Sequence, residues 1–146
     1  MRTNYAVTIA LLSGVLATGI GRTVLTAQSE KTVWSGIFTT EQATRGKDKA
    51  ATACGACHGA ALNGGDLAPT LSGADFIGHW YDAKLSELVT KVTTTMPADA
   101  PGSLKADEYA DIVAYMLQAN GFPAGQEMLV VEPVATLDAV KITKAK

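Results

Sequence analysis

Two cysteines and two histidines are all the thiol and imidazole ligands in this chain of 146 residues. A closed structural zinc site takes four ligands, usually as two spaced pairs. With no third cysteine and only His58 and His79, Cys and His alone cannot build one. Aromatic residues make up only 6% of the sequence, so a small core has few large flat side chains to fill it. There is no excess of positive charge either. The formal net charge is −2, which gives no electrostatic reason to bind nucleic acid. Paired carboxylates, an activated nucleophile and a phosphate-cradling glycine loop are absent in any convincing arrangement.

What is present begins with an export pattern. A basic start, Met1-Arg2-Thr3-Asn4, leads into an apolar run from Tyr5 to Ile20 and then small and polar residues at Thr26-Ala27-Gln28-Ser29. That order matches a secretory signal over 1–27, cut after Ala27. An uncleaved anchor helix is the alternative. The run is short for a membrane span, and Gly14, Gly19 and Gly21 interrupt it. Removing 1–27 leaves 119 residues, one domain, with ten basic against fourteen acidic side chains.

Cys54-Gly55-Ala56-Cys57-His58 is the stretch that carries chemistry. Two thiols two residues apart followed at once by histidine is the attachment signature for c-type haem. Each sulfur can form a thioether with one porphyrin vinyl group, and the histidine beneath the iron serves as proximal axial ligand. A redox dithiol would want alternating strands and helices around it, and no such pattern is visible. A porphyrin would also supply the flat apolar body that the side chains lack.

Around this centre the chain divides into an extended arm at 28–38, a haem domain at 39–121 and an extended tail at 122–146. In the arm, Trp34 and Phe38 cap the domain or belong to a partner interface. Thr39 and Gln42 form a capping box for a first helix running to about Ala53. Gly46 in its middle points to close approach of another helix, because an interior glycine costs roughly 1 kcal/mol against alanine. Pro69 lies in a turn, and its carbonyl is a candidate acceptor for the second ring N–H of His58. Leu85, Leu88, Val89 and Val92 predict a helix over 83–93, stopped by Thr93-Thr94-Thr95 and Pro97.

Met96 stands in the loop beyond that helix, rigidified by Pro97. A thioether at the sixth iron position raises the potential and shuts out small ligands; a methionine is otherwise a gap-filler. Met1, Met116 and Met128 fall in the signal, on a helix face and in the tail. His79 suits the surface better than the iron. Ser103 is the expected N-cap of a last helix from Lys105 to Asn120, whose apolar stripe faces the first helix and whose Asp107, Glu108 and Asp111 form a solvated acidic face. The tail is expected to wrap the domain and to loosen from Thr143.

Cys54-x-x-Cys57-His58, Pro69-x-Leu71-x-Gly73 and Met96-Pro97 together resemble a class I cytochrome c over about 39–120. The resemblance implies an all-α, cytochrome c-like globule of three to five helices around one covalent haem c. First and last helices would cross near a right angle, Gly46 meeting Ile112 and Tyr115. Ala50 departs from the aromatic usual four residues before the first cysteine, which implies a thinner crossing filled by Tyr109, Trp34 or the tail. Val33-Trp34-Ser35-Gly36-Ile37-Phe38-Thr39, Phe76-x-x-x-Trp80 and Met96-Pro97-x-x-x-Pro101-Gly102 more narrowly resemble cytochrome domains associated with periplasmic quinoprotein alcohol dehydrogenases.

The expectation is therefore a periplasmic single-electron carrier and not an enzyme. Its haem would be attached through Cys54 and Cys57 and ligated by His58 and Met96, with Pro69 and Trp80 in the haem pocket. Expected partners are redox proteins, a dehydrogenase as donor and an oxidase or another cytochrome as acceptor. Neither nucleic acid nor membrane is expected to bind, unless 1–27 stays as an anchor. The alternatives are a haem protein with an open sixth site, and a membrane-anchored cytochrome subunit of a respiratory complex.

Overall fold

The computed structural model describes residues 30–144; the segment 1–27 read as an export signal lies outside them. Five α-helices dominate: α1 (Thr40–Ala53), α2 (Gly55–His58), α3 (Gly73–Trp80), α4 (Leu85–Thr95) and α5 (Ala106–Ala119). Two short strands, β1 (Lys31–Thr32) and β2 (Val140–Lys141), pair in parallel and bring the two ends of the domain together.

α1 begins as its sequence dictates. Thr39 Oγ1 accepts from Gln42 N at 3.2 Å, and Gln42 Oε1 accepts from Thr39 N, so two orphan donors of the first turn are satisfied reciprocally. Its inner face is small: Ala43, Gly46 and Ala50 are buried. α5 lies against that face. A Cβ on Gly46 would fall 1.8 Å from the Asp111 carbonyl oxygen and 3.0 Å from Tyr115 Cβ, so only glycine permits the crossing. The contact thus centres on Asp111 and Tyr115, one residue short of Ile112. Trp34 stacks edge-on against Phe122, just beyond the end of α5, with ring centroids 5.0 Å apart.

The acidic face expected on α5 is largely neutralised. Arg45 reaches across from α1 to grip Asp111 with two bonds of 2.7 Å, and Lys49 pairs with Glu108 at 2.6 Å. Sequence spacing along one helix cannot show charges arriving from another.

α4 also outruns its expected end. The threonines do not stop it, because each hydroxyl bonds a carbonyl of the preceding turn: Thr93 to Val89, Thr94 to Thr90, Thr95 to Lys91. The helix ends at Met96, which is extended (φ −126°, ψ 150°), as the residue before a proline must be. Lys105, not Ser103, caps α5; its backbone N–H donates to the Glu108 carboxylate at 3.0 Å.

Among the described residues, arm and tail carry no α-helix, and each is broken by one 3₁₀ turn, at Val33–Ser35 and Val134–Leu137. The tail is fastened at several points as far as Thr143. Gly125 N bonds the Phe38 carbonyl, and Ile142 exchanges bonds with Asp82 and Ala83. Leu129, Val131, Leu137, Val140 and Ile142 are buried. Thr143 is not loose, since its carbonyl accepts from Trp34 Nε1 at 2.9 Å.

Candidate functional site

Cys54 ends α1, and the single turn of α2 carries the chain on to His58. Cys57 N and His58 N both bond the Cys54 carbonyl, at 3.1 and 2.9 Å, so the five residues form one compact turn. Both thiols are free; Cys57 is exposed and Cys54 half-buried. Burial pushes the Cys54 thiol up from its ordinary value, because a thiolate is poorly solvated there.

His58 is only 9% exposed, and its Nδ1 lies 2.8 Å from the Pro69 carbonyl oxygen. A carbonyl can only accept, so Nδ1 carries the proton and the Nε2 lone pair is left for a metal. Nε2 has no hydrogen-bond partner among the described residues, yet no side-chain nitrogen or oxygen there is both buried and unpartnered. Nε2 is therefore not sealed off inside the core. The loop holding Pro69 is itself pinned. Leu71 N bonds the Leu62 carbonyl, Thr70 Oγ1 spans Leu62 and Ser72, and Asn120 from the end of α5 donates to the Leu71 carbonyl at 3.0 Å and accepts from Gly73 N.

Met96 is half-buried at the end of α4, and Tyr109 of α5 donates its hydroxyl proton to the Met96 carbonyl at 2.6 Å. Trp80 is half-buried at the end of α3, tilted against Phe76. His79 is exposed, its ring edge-on to Trp80. His58 and Pro69 are thus joined directly, Met96 is tied to α5 through Tyr109, and Trp80 packs on Phe76 of its own helix.

Two residues of this frame escaped the sequence. Asn120 was visible as the end of a helix, and Tyr109 as an apolar position that could fill the helix crossing, neither as a hydrogen-bonding group of the site. The sole signals were an amide just before Gly121 and a hydroxyl on an otherwise apolar stripe.

Among the described residues no three of His, Cys, Asp and Glu gather closely enough to hold a metal alone. What the segments around His58 and Met96 do offer is apolar surface. Leu71, Ile77, Trp80, Val92 and Leu104 pack on the core with one side still accessible. Two thiols, an oriented imidazole with a free Nε2 and a half-exposed apolar rim fit a covalently held porphyrin.

An all-α fold with this attachment turn defines a c-type cytochrome. Residues 41–116 match the family described as "Cytochrome C oxidase, cbb3-type, subunit III", and the chain belongs to that family. Covalent haem c is its cofactor, and electron transfer its chemistry. The fold is similar to that in the crystal structure of the sulfane dehydrogenase SoxCD from Paracoccus pantotrophus, with a TM-score of 0.54 and 24% identity, covering 83% of this chain and 68% of that one. No curated protein matches the chain.

Proposed function

We propose that this protein is an exported, periplasmic mono-haem carrier that passes single electrons between redox proteins and transforms no substrate itself. His58 and Met96 are the axial ligands in this reading, and Cys54 and Cys57 the thioether anchors. The observation that carries it is the 2.8 Å contact between His58 Nδ1 and the Pro69 carbonyl, which fixes the imidazole tautomer and holds its plane before any metal arrives.

Bound there, haem c supplies a one-electron iron couple. The protein's own part is to hold the ligands still in both oxidation states, which keeps reorganisation small. His58 is fixed by Pro69, and the Met96 backbone by Tyr109. In this reading Leu71, Val92 and Leu104, partly buried against the core, would shield the haem from water, and Trp80 would line its pocket. The donor is a dehydrogenase and the acceptor an oxidase or a second cytochrome. The matched family is described as an oxidase subunit, which supports the accepting side. No helix of the described residues is long and apolar enough to cross a membrane. Intact mass of the purified protein separates a free carrier from one anchored by residues 1–27.

The test is the optical spectrum of the ferric protein beside Met96→Ala, with carbon monoxide added to the reduced forms. The wild type should show the weak long-wavelength sulfur-to-iron band and ignore carbon monoxide, and the variant should lose the band and bind the gas. A wild type that lacks the band and binds carbon monoxide readily has an open sixth site, and the carrier reading fails.

A further inference from the structure

The loop from Gly59 to Ser72 runs between α2 and α3 without a helix of its own, and it supplies the carbonyl that His58 uses. Its shape is kept by bonds that begin and end inside it. The Leu62 carbonyl alone accepts from Leu71 N and from the hydroxyls of Thr70 and Ser72. The buried Leu62 side chain seats the loop on the core, but apolar contact is non-directional. Something else must fix where Pro69 stands. Among the described residues, the hydrogen bonds from 59–73 to any helix other than the two flanking ones all run to one side chain, Asn120.

Asn120 closes α5, and its amide is used at both atoms. Nδ2 donates to the Met116 carbonyl one turn back at 2.8 Å and to the Leu71 carbonyl at 3.0 Å, while Oδ1 accepts from Gly73 N at 2.9 Å. The first bond is an ordinary finish for a helix end, where carbonyls lack partners. The other two span 49 and 47 positions, and only a group that is donor and acceptor at once can make both. They grip the loop just beyond Pro69. α5 is in turn locked onto α1 at Gly46, and α1 delivers Cys54. The acceptor of the His58 proton is thereby referenced to the same helix pair that places the first thiol.

We infer that Asn120 is a positioning residue for the proximal ligand: by fixing the Pro69 carbonyl it sets how strongly His58 donates to the iron, and so the reduction potential of the haem. The inference rests on the reading of His58 as proximal ligand and deepens it. A well-held bond from Nδ1–H to a carbonyl leaves more electron density on Nε2, and a stronger donor there favours ferric iron. Without Asn120 the carbonyl loses its fixed position, the bond weakens, and the ferrous state gains.

The experiment uses the full-length ferric holoprotein with cyanide in the sixth position, so that it does not depend on Met96. NMR reads the exchange of the His58 ring N–H with water, its signal moved clear of the others by the iron. Voltammetry of the cyanide-free protein reads the potential. Asn120→Ala should speed the exchange about five- to ten-fold, as the loss of one net hydrogen bond would, and raise the potential. Asn120→Ser keeps a hydroxyl for the Met116 carbonyl but is too short to hold the loop, and it should act as Asn120→Ala does. Gln42→Ala, which releases the tail instead, should change neither reading. Unchanged exchange in Asn120→Ala makes the amide a helix cap only, and faster exchange at an unchanged potential removes its link to the iron. A lowered potential makes it a barrier to water, and equal effects from Gln42→Ala make them general loosening. Each of these overturns the inference and leaves the carrier reading intact. A wild type whose His58 ring proton carries no iron-induced shift overturns His58 as the ligand, and the inference with it.

Discussion

Gln42 and Leu129 stand 87 positions apart and share two hydrogen bonds: the amide of Gln42 donates to the Leu129 carbonyl at 2.9 Å, and its oxygen accepts from the Leu129 N–H at 2.7 Å. Gln42 is only 1% exposed, so a side chain here does for the tail what a neighbouring strand would do. Gln42→Ala leaves both backbone groups without a partner, at about 1–3 kcal/mol for each group stranded. Urea denaturation should show a loss of about 3 kcal/mol. Hydrogen exchange at Leu129 should accelerate, while Leu117 on α5 keeps its protection.

Gly46→Ala tests the crossing of α1 and α5. The added methyl group meets backbone, the carbonyl of Asp111, which cannot swing aside as a side chain would. The helices must separate, at a cost of about 3 kcal/mol. A thermal melt should show Tm falling by roughly 10 °C or more.

Tyr109→Phe removes one proton donor and little volume. The Met96 carbonyl then keeps only a long 3.4 Å contact with Gly102 N, and stability should fall by about 1 kcal/mol. If Met96 is the distal ligand, the sulfur-to-iron band of the ferric variant should fade at a lower temperature than in the wild type. The haem should stay covalently attached on a denaturing gel, because the anchors lie elsewhere.

Acid should weaken the outer seam between α1 and α5. The hydrogen bond from the Lys49 ammonium, followed by that from the Lys105 backbone N–H, holds the Glu108 carboxyl below the ordinary glutamate value. A depressed carboxyl stabilises the fold fully above its unfolded value of about 4.3 and ceases to do so as pH falls through the folded one. The difference in urea midpoint between wild type and Glu108→Gln should therefore be flat near neutral pH and shrink below about pH 4. Raised salt should shrink it too, since the pair lies at the surface.

The haem attachment and the all-α fold were legible because their signals are local. Cys54 to His58 is one turn of chain, the Thr39–Gln42 capping box spans a single helix start, and Gly46 announces a close neighbour on its own. Everything that escaped depends on a second segment. Nothing near Asp111 or Glu108 shows that Arg45 and Lys49 will meet them, and nothing near Val140 shows that Lys31 will pair beside it. Thr93-Thr94-Thr95 misled for the opposite reason. β-Branched residues do lower helix propensity, but three hydroxyls bonding back to the preceding turn, on a helix already packed through Leu88 and Val89, outweigh that preference.

The parallel pairing of β1 with β2 also has a mechanical meaning. Residue 30 enters beside Val140, and residue 144 leaves beyond Lys141, so the two ends of the domain depart in opposite directions along neighbouring strands. Tension between them loads the clasp in shear. The ladder contacts of Lys31 and Thr32, together with the Lys141–Glu30 ion pair at 3.1 Å, then share the force at once instead of parting one after another. A domain tethered from either end would hand a pull to this clasp before any of it reached the helices that hold the haem.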